Sequence, residues 1–225
     1  MLNLNRLKKE EIIWLSKHKC RHGHSYLSHP NCILTEKPNM CPVFERVGHL
    51  DIECTGLNAN FDYIISYAIK VERKIRGRVL TKREVLNPDI LDKNLLKEFY
   101  QDIQDLDRIT VYWGKDRRHD LPFLRTRALK WGVDFPLYRD IYLTDVYDIV
   151  KGKLRLHANR LENVANFLKI PCKQHKLDPE IWQRAKLGDK KALNHIWLHN
   201  KEDVITLEKV YDKLRGFVRE SKTSI

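Results

Sequence analysis

Residues 64–71 place the tightest constraint on the fold. Ile65, Tyr67, Ile69 and Val71 alternate with Ile64, Ser66, Ala68 and Lys70, a period of two that assigns one set to each face of a β-strand and that no helix satisfies. Just upstream, Val47-Gly48-His49-Leu50-Asp51-Ile52-Glu53 reads as another strand, ending in the turn Thr55-Gly56. Downstream, a basic turn containing Gly77 leads to a third β run at 78–86, so the second and third strands are expected to form a hairpin. Asn87-Pro88 then breaks the chain, and Asp92 is placed to cap a helix running to residue 106.

The remainder alternates less and coils more. A short β run at 109–112, a helix at 121–131 stopped by Gly132 and a last strand at 141–143 precede helical stretches at 144–150, 160–168, 179–187 and 190–219. Strands first, with interspersed and then trailing helices, predict an α/β fold whose mixed β-sheet is flanked by helices. The first 17 residues have a different texture, a loosely amphipathic helix. Between His18 and Cys41 the chain is rich in His, Cys, Pro, Asn and Ser. The expected division is therefore a small N-terminal Cys/His-rich module at 1–45 and a main domain at 46–225.

Within that module Cys20, His24, His29 and Cys32 have the spacing C-x3-H-x4-H-x2-C. Thiolate and imidazole donors suit tetrahedral Zn²⁺, so a structural zinc is expected there, with His22 or Cys41 able to replace one member.

Charge narrows the partner. The chain of 225 residues carries 42 Lys+Arg against 30 Asp+Glu, a formal +12, which favours a polyanion and nucleic acid before anionic membrane. No apolar run reaches the roughly 18 residues of a membrane span, and the charged N-terminus lacks the apolar core of a secretory signal. Five cysteines, an odd number, argue for a reducing compartment; the cytoplasm is expected.

In so basic a chain, particular acids stand out. Asp51 and Glu53, at i and i+2 of a strand, share a face while Leu50 and Ile52 point to the other. Adjacent carboxylates repel unless a cation neutralises them, and hard oxygen donors suit Mg²⁺ or Mn²⁺. Asp120 opens the segment His119-Asp120-Leu121-Pro122-Phe123-Leu124, and His199 and Asp203 lie at i and i+4 of the last helix. Taken singly, each has an ordinary reading as a strand-end acid, a helix cap or a surface pair.

Their order is more specific. Asp51-Ile52-Glu53, then Tyr112-Trp113-Gly114 with Asp120-Leu121-Pro122-Phe123-Leu124, then His199-x-x-x-Asp203 resemble the three exonuclease motifs of the DEDD superfamily, the DnaQ- and RNase D-like 3′–5′ exonucleases, and most nearly their YprB-like branch. The resemblance implies a ribonuclease-H-like fold over most of the chain. It carries metal-ligand roles for two Mg²⁺ or Mn²⁺ to Asp51, Glu53, Asp120 and Asp203, and a water-orienting role to His199. The implied activity is two-metal-dependent 3′–5′ hydrolysis of phosphodiester bonds in single-stranded nucleic acid or frayed ends. A catalytically impaired nucleic-acid-binding protein and a structure-selective endonuclease on the same site are the alternatives. Trp113, Lys115, Arg117 and Arg118, beside Asp120, are the expected nucleic-acid contacts, with further basic residues crowding the hairpin.

Overall fold

The computed structural model describes residues 7, 9–36, 38, 41, 45–115, 118–171, 175–218 and 224. The chain divides into two compact units, Met1–Glu45 and Arg46–Ile225.

The first unit contains α1 (Lys9–Lys17) and α2 (Pro30–Glu36). Leu15, Cys20, Tyr26, Ile33 and Cys41 are its buried side chains among the described residues. Between the helices the chain doubles back, with Lys19 and Ser25 bridged antiparallel. Gly23 makes the reversal at φ +81°, a left-handed conformation that glycine adopts without strain.

The second unit is built on five strands: β1 (Val47–Cys54), β2 (Ile64–Val71), β3 (Lys74–Val79), β4 (Arg108–Val111) and β5 (Tyr142–Asp145). Their order across the sheet is β3-β2-β1-β4-β5. β1 pairs antiparallel with β2 and parallel with β4, and β5 continues parallel to β4. β1 is therefore central, the position from which side chains reach both covering layers. Its register with β2 shifts between Glu53 and Cys54, an irregularity that re-aims the side chains at the strand end.

Seven α-helices complete the unit among the described residues: α3 (Lys82–Val85), α4 (Lys93–Asp102), α5 (Asp120–Trp131), α6 (Val146–Lys153), α7 (Leu161–Phe167), α8 (Pro179–Lys186) and α9 (Lys190–Leu214), followed by a short 3-10 turn at Arg215–Phe217. Leu50, Ile52, Tyr67 and Ile69 point toward α4 and α5; the Tyr67 ring meets Phe99 edge-on at 5.5 Å and its hydroxyl donates to Asp102 at 2.7 Å. The opposite face of β1 and β2, carrying His49, Asp51, Glu53 and Ser66, lies under α9. Val146, Ile149, Val150, Val164, Leu207, Val210 and Leu214 knit α6, α7 and α9 into a second apolar cluster.

Two sequence expectations are corrected. The third strand starts at Lys74, so Gly77 lies within it, paired with Ala68, and not in the turn. It ends at Val79 and residues 82–85 are helical, because Thr81 and Glu84 form a capping box: each side chain accepts from the other residue's backbone N–H. Asp92 stands at the start of α4, yet its carboxylate caps nothing. It accepts instead from the Ile64 amide, from Arg127 Nε and Nη2, and from Trp131 Nε1 at 2.7–3.0 Å. Gly132 does end α5, in the left-handed conformation at φ +60°.

Candidate active site

The central strand delivers Asp51 and Glu53 to the face covered by α9. That helix starts at Asp189, whose side chain accepts from the Lys191 and Ala192 amides, and it presents a polar interruption in an apolar stripe. Between Ile196 and Val204, both fully buried, stand the buried polar residues His199, Asn200 and Asp203. His199 Nε2 lies 3.4 Å from Glu53 Oε1 and 3.3 Å from Asp203 Oδ2. One donor atom from each of these three residues falls within 4.8 Å of the others.

The other ring nitrogen fixes the histidine. His199 Nδ1 meets the backbone carbonyl of His175, an acceptor only, so Nδ1 carries a proton and Nε2 is the nitrogen turned to the carboxylates. The His175 segment is itself pinned to α9, since the His175 amide and Nδ1 both contact the Glu202 carboxylate, at 3.1 and 2.7 Å.

Asn200 was not singled out from sequence. It donates from Nδ2 to Asp51 Oδ2 at 2.6 Å and accepts from the Ser66 hydroxyl at Oδ1 at 2.8 Å. One fully buried amide thus fixes Asp51 against β2 and α9. The visible signal was an Asn one residue after His199, on a helix face otherwise apolar.

Asp120 approaches from α5. It is 6% exposed and is the first residue of its helix, with His119 at the cap position, so the ordinary reading as an N-cap does not apply. Its Oδ1 is 3.3 Å from His119 Nδ1, while Oδ2 is buried with no hydrogen-bond partner among the described residues. Burial pushes the Asp120 carboxyl above the usual carboxylate range; the charges of Asp145 and Asp203 push the same way, and His119 opposes them. Gly114 makes the approach possible, because a Cβ there would stand 2.6 Å from Asp120 Oδ2.

The loop before α5 is held by Asp145, at the end of β5. Its carboxylate accepts from the amides of Trp113, Gly114 and Lys115 at 2.9–3.1 Å, caps α6 through the Tyr147 amide, and pairs with Arg118 Nη1 at 2.5 Å. Under this restraint Trp113 adopts φ +64° and leaves its side chain 47% exposed. Arg118, expected at nucleic acid, is turned inward onto Asp145 and Asp148 and over the Tyr147 ring. Arg117 lies outside the described residues. Three of the hairpin's basic residues are also engaged: Lys70 pairs with Glu208, Arg76 with Asp105, and Arg78 with Glu84 and Glu98.

A family model of the ribonuclease H superfamily (RNase_H_2) matches residues 49–215. The chain belongs to the ribonuclease H superfamily. The matched span starts just before Asp51 and ends past Asp203, so it includes Glu53, Asp120 and His199. The five-stranded mixed sheet with helices on both faces is the ribonuclease-H-like architecture that the motif order implied. Enzymes of this superfamily are typically nucleases that act on nucleic acid with divalent metals. No curated protein sequence matches the chain. Among the described residues no helix is long and apolar enough to cross a membrane.

In the N-terminal unit, Cys20, His22, His29 and Cys32 come together. His24 does not join them: its ring stacks on His29 with centroids 4.1 Å apart. The place that the most economical spacing gave to His24 is taken by His22.

Proposed function

We propose that this chain is a two-metal-dependent 3′–5′ exonuclease of the DEDD type, most similar to the YprB-like branch, acting on single-stranded nucleic acid or frayed ends in the cytoplasm. The observation that carries the reading is the meeting of Glu53, His199 and Asp203 from β1 and α9, with Asp51 on the same strand face. The donor set fits hard divalent cations, and the buried Oδ2 of Asp120, with no hydrogen-bond partner among the described residues, is a position a cation would satisfy.

Asp51, Glu53, Asp120 and Asp203 would hold the Mg²⁺ or Mn²⁺ ions. Bound there, the ions would supply Lewis-acid activation of the attacking water and charge stabilisation for the leaving 3′-oxygen. The chain's own residues do the rest. His199, with Nδ1 committed to the His175 carbonyl, accepts the water's proton at Nε2. Asn200 keeps Asp51 from rotating away. The exposed Trp113 ring, beside the loop that carries Asp120, offers a stacking surface for an unpaired base, and Lys115 a phosphate contact.

The test is digestion of 3′- and 5′-labelled DNA and RNA with Mg²⁺, Mn²⁺ or EDTA. Stepwise shortening from the 3′ end, abolished by EDTA and by Asp51→Ala or Asp203→Ala, is the expected result. Internal cuts would mark an endonuclease. Tight binding without turnover would mark an impaired descendant.

A further inference from the structure

We infer that the N-terminal unit is clamped by one Zn²⁺ held by Cys20, His22, His29 and Cys32, with His24 as a buttress and not a ligand. A tetrahedron with Zn–S near 2.3 Å and Zn–N near 2.0–2.1 Å spaces its corners roughly 3.3–3.8 Å apart. His22 Nδ1 lies 3.4 Å from Cys32 Sγ and 3.9 Å from Cys20 Sγ, and the four donor atoms lie within 4.8 Å of one another. Both sulfurs are thiols and not half of a disulfide. Two thiols and two imidazoles make a soft-to-borderline set, which selects zinc over the hard cations suited to the acidic site.

Backbone geometry explains why His22 and not His24 is the ligand. The chain turns tightly at Cys20–Gly23, where the Gly23 amide donates to the Cys20 carbonyl at 2.8 Å, and the Cys20 amide donates to the His24 carbonyl at 2.9 Å. This puts His22 on the turn facing the thiols and carries His24 past Gly23 on the returning arm. From there its ring stacks on His29, holding that ring's orientation, as groups around metal ligands commonly do. Cys32 enters from α2, its amide donating to the His29 carbonyl at 3.0 Å. The four donors therefore bring the turn and the second helix to one point.

The unit has reason to need the clamp. Five buried side chains form its apolar centre among the described residues, and units of about 40 residues with so small a core usually depend on a metal, disulfides or a partner. The Glu36 carboxylate, which accepts from the Tyr26 hydroxyl at 2.7 Å and the Arg21 amide at 3.2 Å, ties the same two segments a second time.

The experiment is elemental analysis of the full chain, expressed in zinc-supplemented medium, freed of any affinity tag and purified without chelator. One zinc per chain is expected. Cys32→Ser and His22→Gln should lose it, His24→Gln should keep it, and Asp51→Asn should keep it whether or not the acidic site is a nuclease centre. In case a variant fails to fold, the wild-type protein supplies two further readouts. Replacing zinc by Co²⁺ should give the visible bands of tetrahedral thiolate coordination, and a mercurial that blocks thiols should release the zinc to a metallochromic dye. A metal-free wild-type chain, zinc indifferent to thiol modification, or loss on His24→Gln with retention on His22→Gln would each overturn the assignment.

Discussion

Two groups of buried and half-buried acid lie on opposite faces of the same sheet and are treated in opposite ways. On the α4–α5 face, Asp92 is fully buried and collects four donors, from Ile64, Arg127 and Trp131. On the α9 face, Asp51, Glu53 and Asp203 gather around one histidine and one asparagine, and Asp120 sits buried with Asp145 and Asp203 among its electrostatic neighbours. A buried carboxylate ringed by donors holds the fold together. Carboxylates crowded together at a poorly solvated site disfavour the metal-free fold, and such an arrangement is the mark of a site that works on something else.

The comparison can be broken most directly at Asp203 and Asp92. Asp203→Asn should lower the turnover of a labelled oligonucleotide by about 10³-fold, the order expected when several kcal/mol of cation-mediated stabilisation is lost, while the melting temperature holds or rises. Asp92→Ala should do the reverse. It leaves Arg127 buried without its partner and should cost about 3–5 kcal/mol in urea denaturation, with normal activity per folded molecule. A catalytic defect at Asp92, or an unfolded Asp203 variant, would erase the distinction.

Asn200 tests how far positioning contributes. Asn200→Ala frees Asp51 without removing a carboxylate, so Mn²⁺ affinity and kcat should fall by about 10- to 100-fold, measured by titration and steady-state kinetics. Asn200→Asp should be worse, since it sets a new negative charge against Asp51.

The smallest effects follow from proton linkage and have opposite signs at two buried acids. Burial alone would raise the Glu84 carboxyl, but hydrogen bonds from the Thr81 amide and hydroxyl and the Arg78 guanidinium outweigh it and hold the group below its ordinary range. Stability from a depressed carboxyl is present above its unfolded pKa and lost as pH falls. Glu84→Gln should therefore cost about 1–3 kcal/mol at neutral pH, converging with wild type in acid. Asp120 is shifted the other way, chiefly by burial. Its ionisation opposes folding as pH rises above the unfolded value, so Asp120→Asn should raise the melting temperature of the metal-free chain at pH 7 and lose that advantage near pH 4. Thermal melts across that pH range check both.

What sequence reveals here depends on whether the information is local. Asp51 and Glu53 share a face because strands have a period of two, and His199 and Asp203 share one because helices repeat in under four residues; both facts are present in a short window. Asn200 was invisible because its partners, Ser66 and Asp51, lie 134 and 149 residues away in the chain. The choice between His22 and His24 turns on the left-handed φ of Gly23, and Cys/His spacing does not encode that torsion. The capping box was readable as Thr81-x-x-Glu84 inside the segment 78–86 that was expected to be a strand. The donors around Asp92 come from β2 and α5, so an N-cap was the best that its immediate surroundings allowed.

The span between Asp51 and Asp203 also sets an order of events. β1 and β2 are neighbours in sequence and in space and can pair early, whereas α9 must dock onto their exposed face across some 150 residues of intervening chain. A nascent chain carries its first two acids long before the residues that complete their cluster emerge from the ribosome. The acidic cluster is complete only once α9 has docked, so a chain that ends before this helix carries Asp51 and Glu53 without His199 and Asp203.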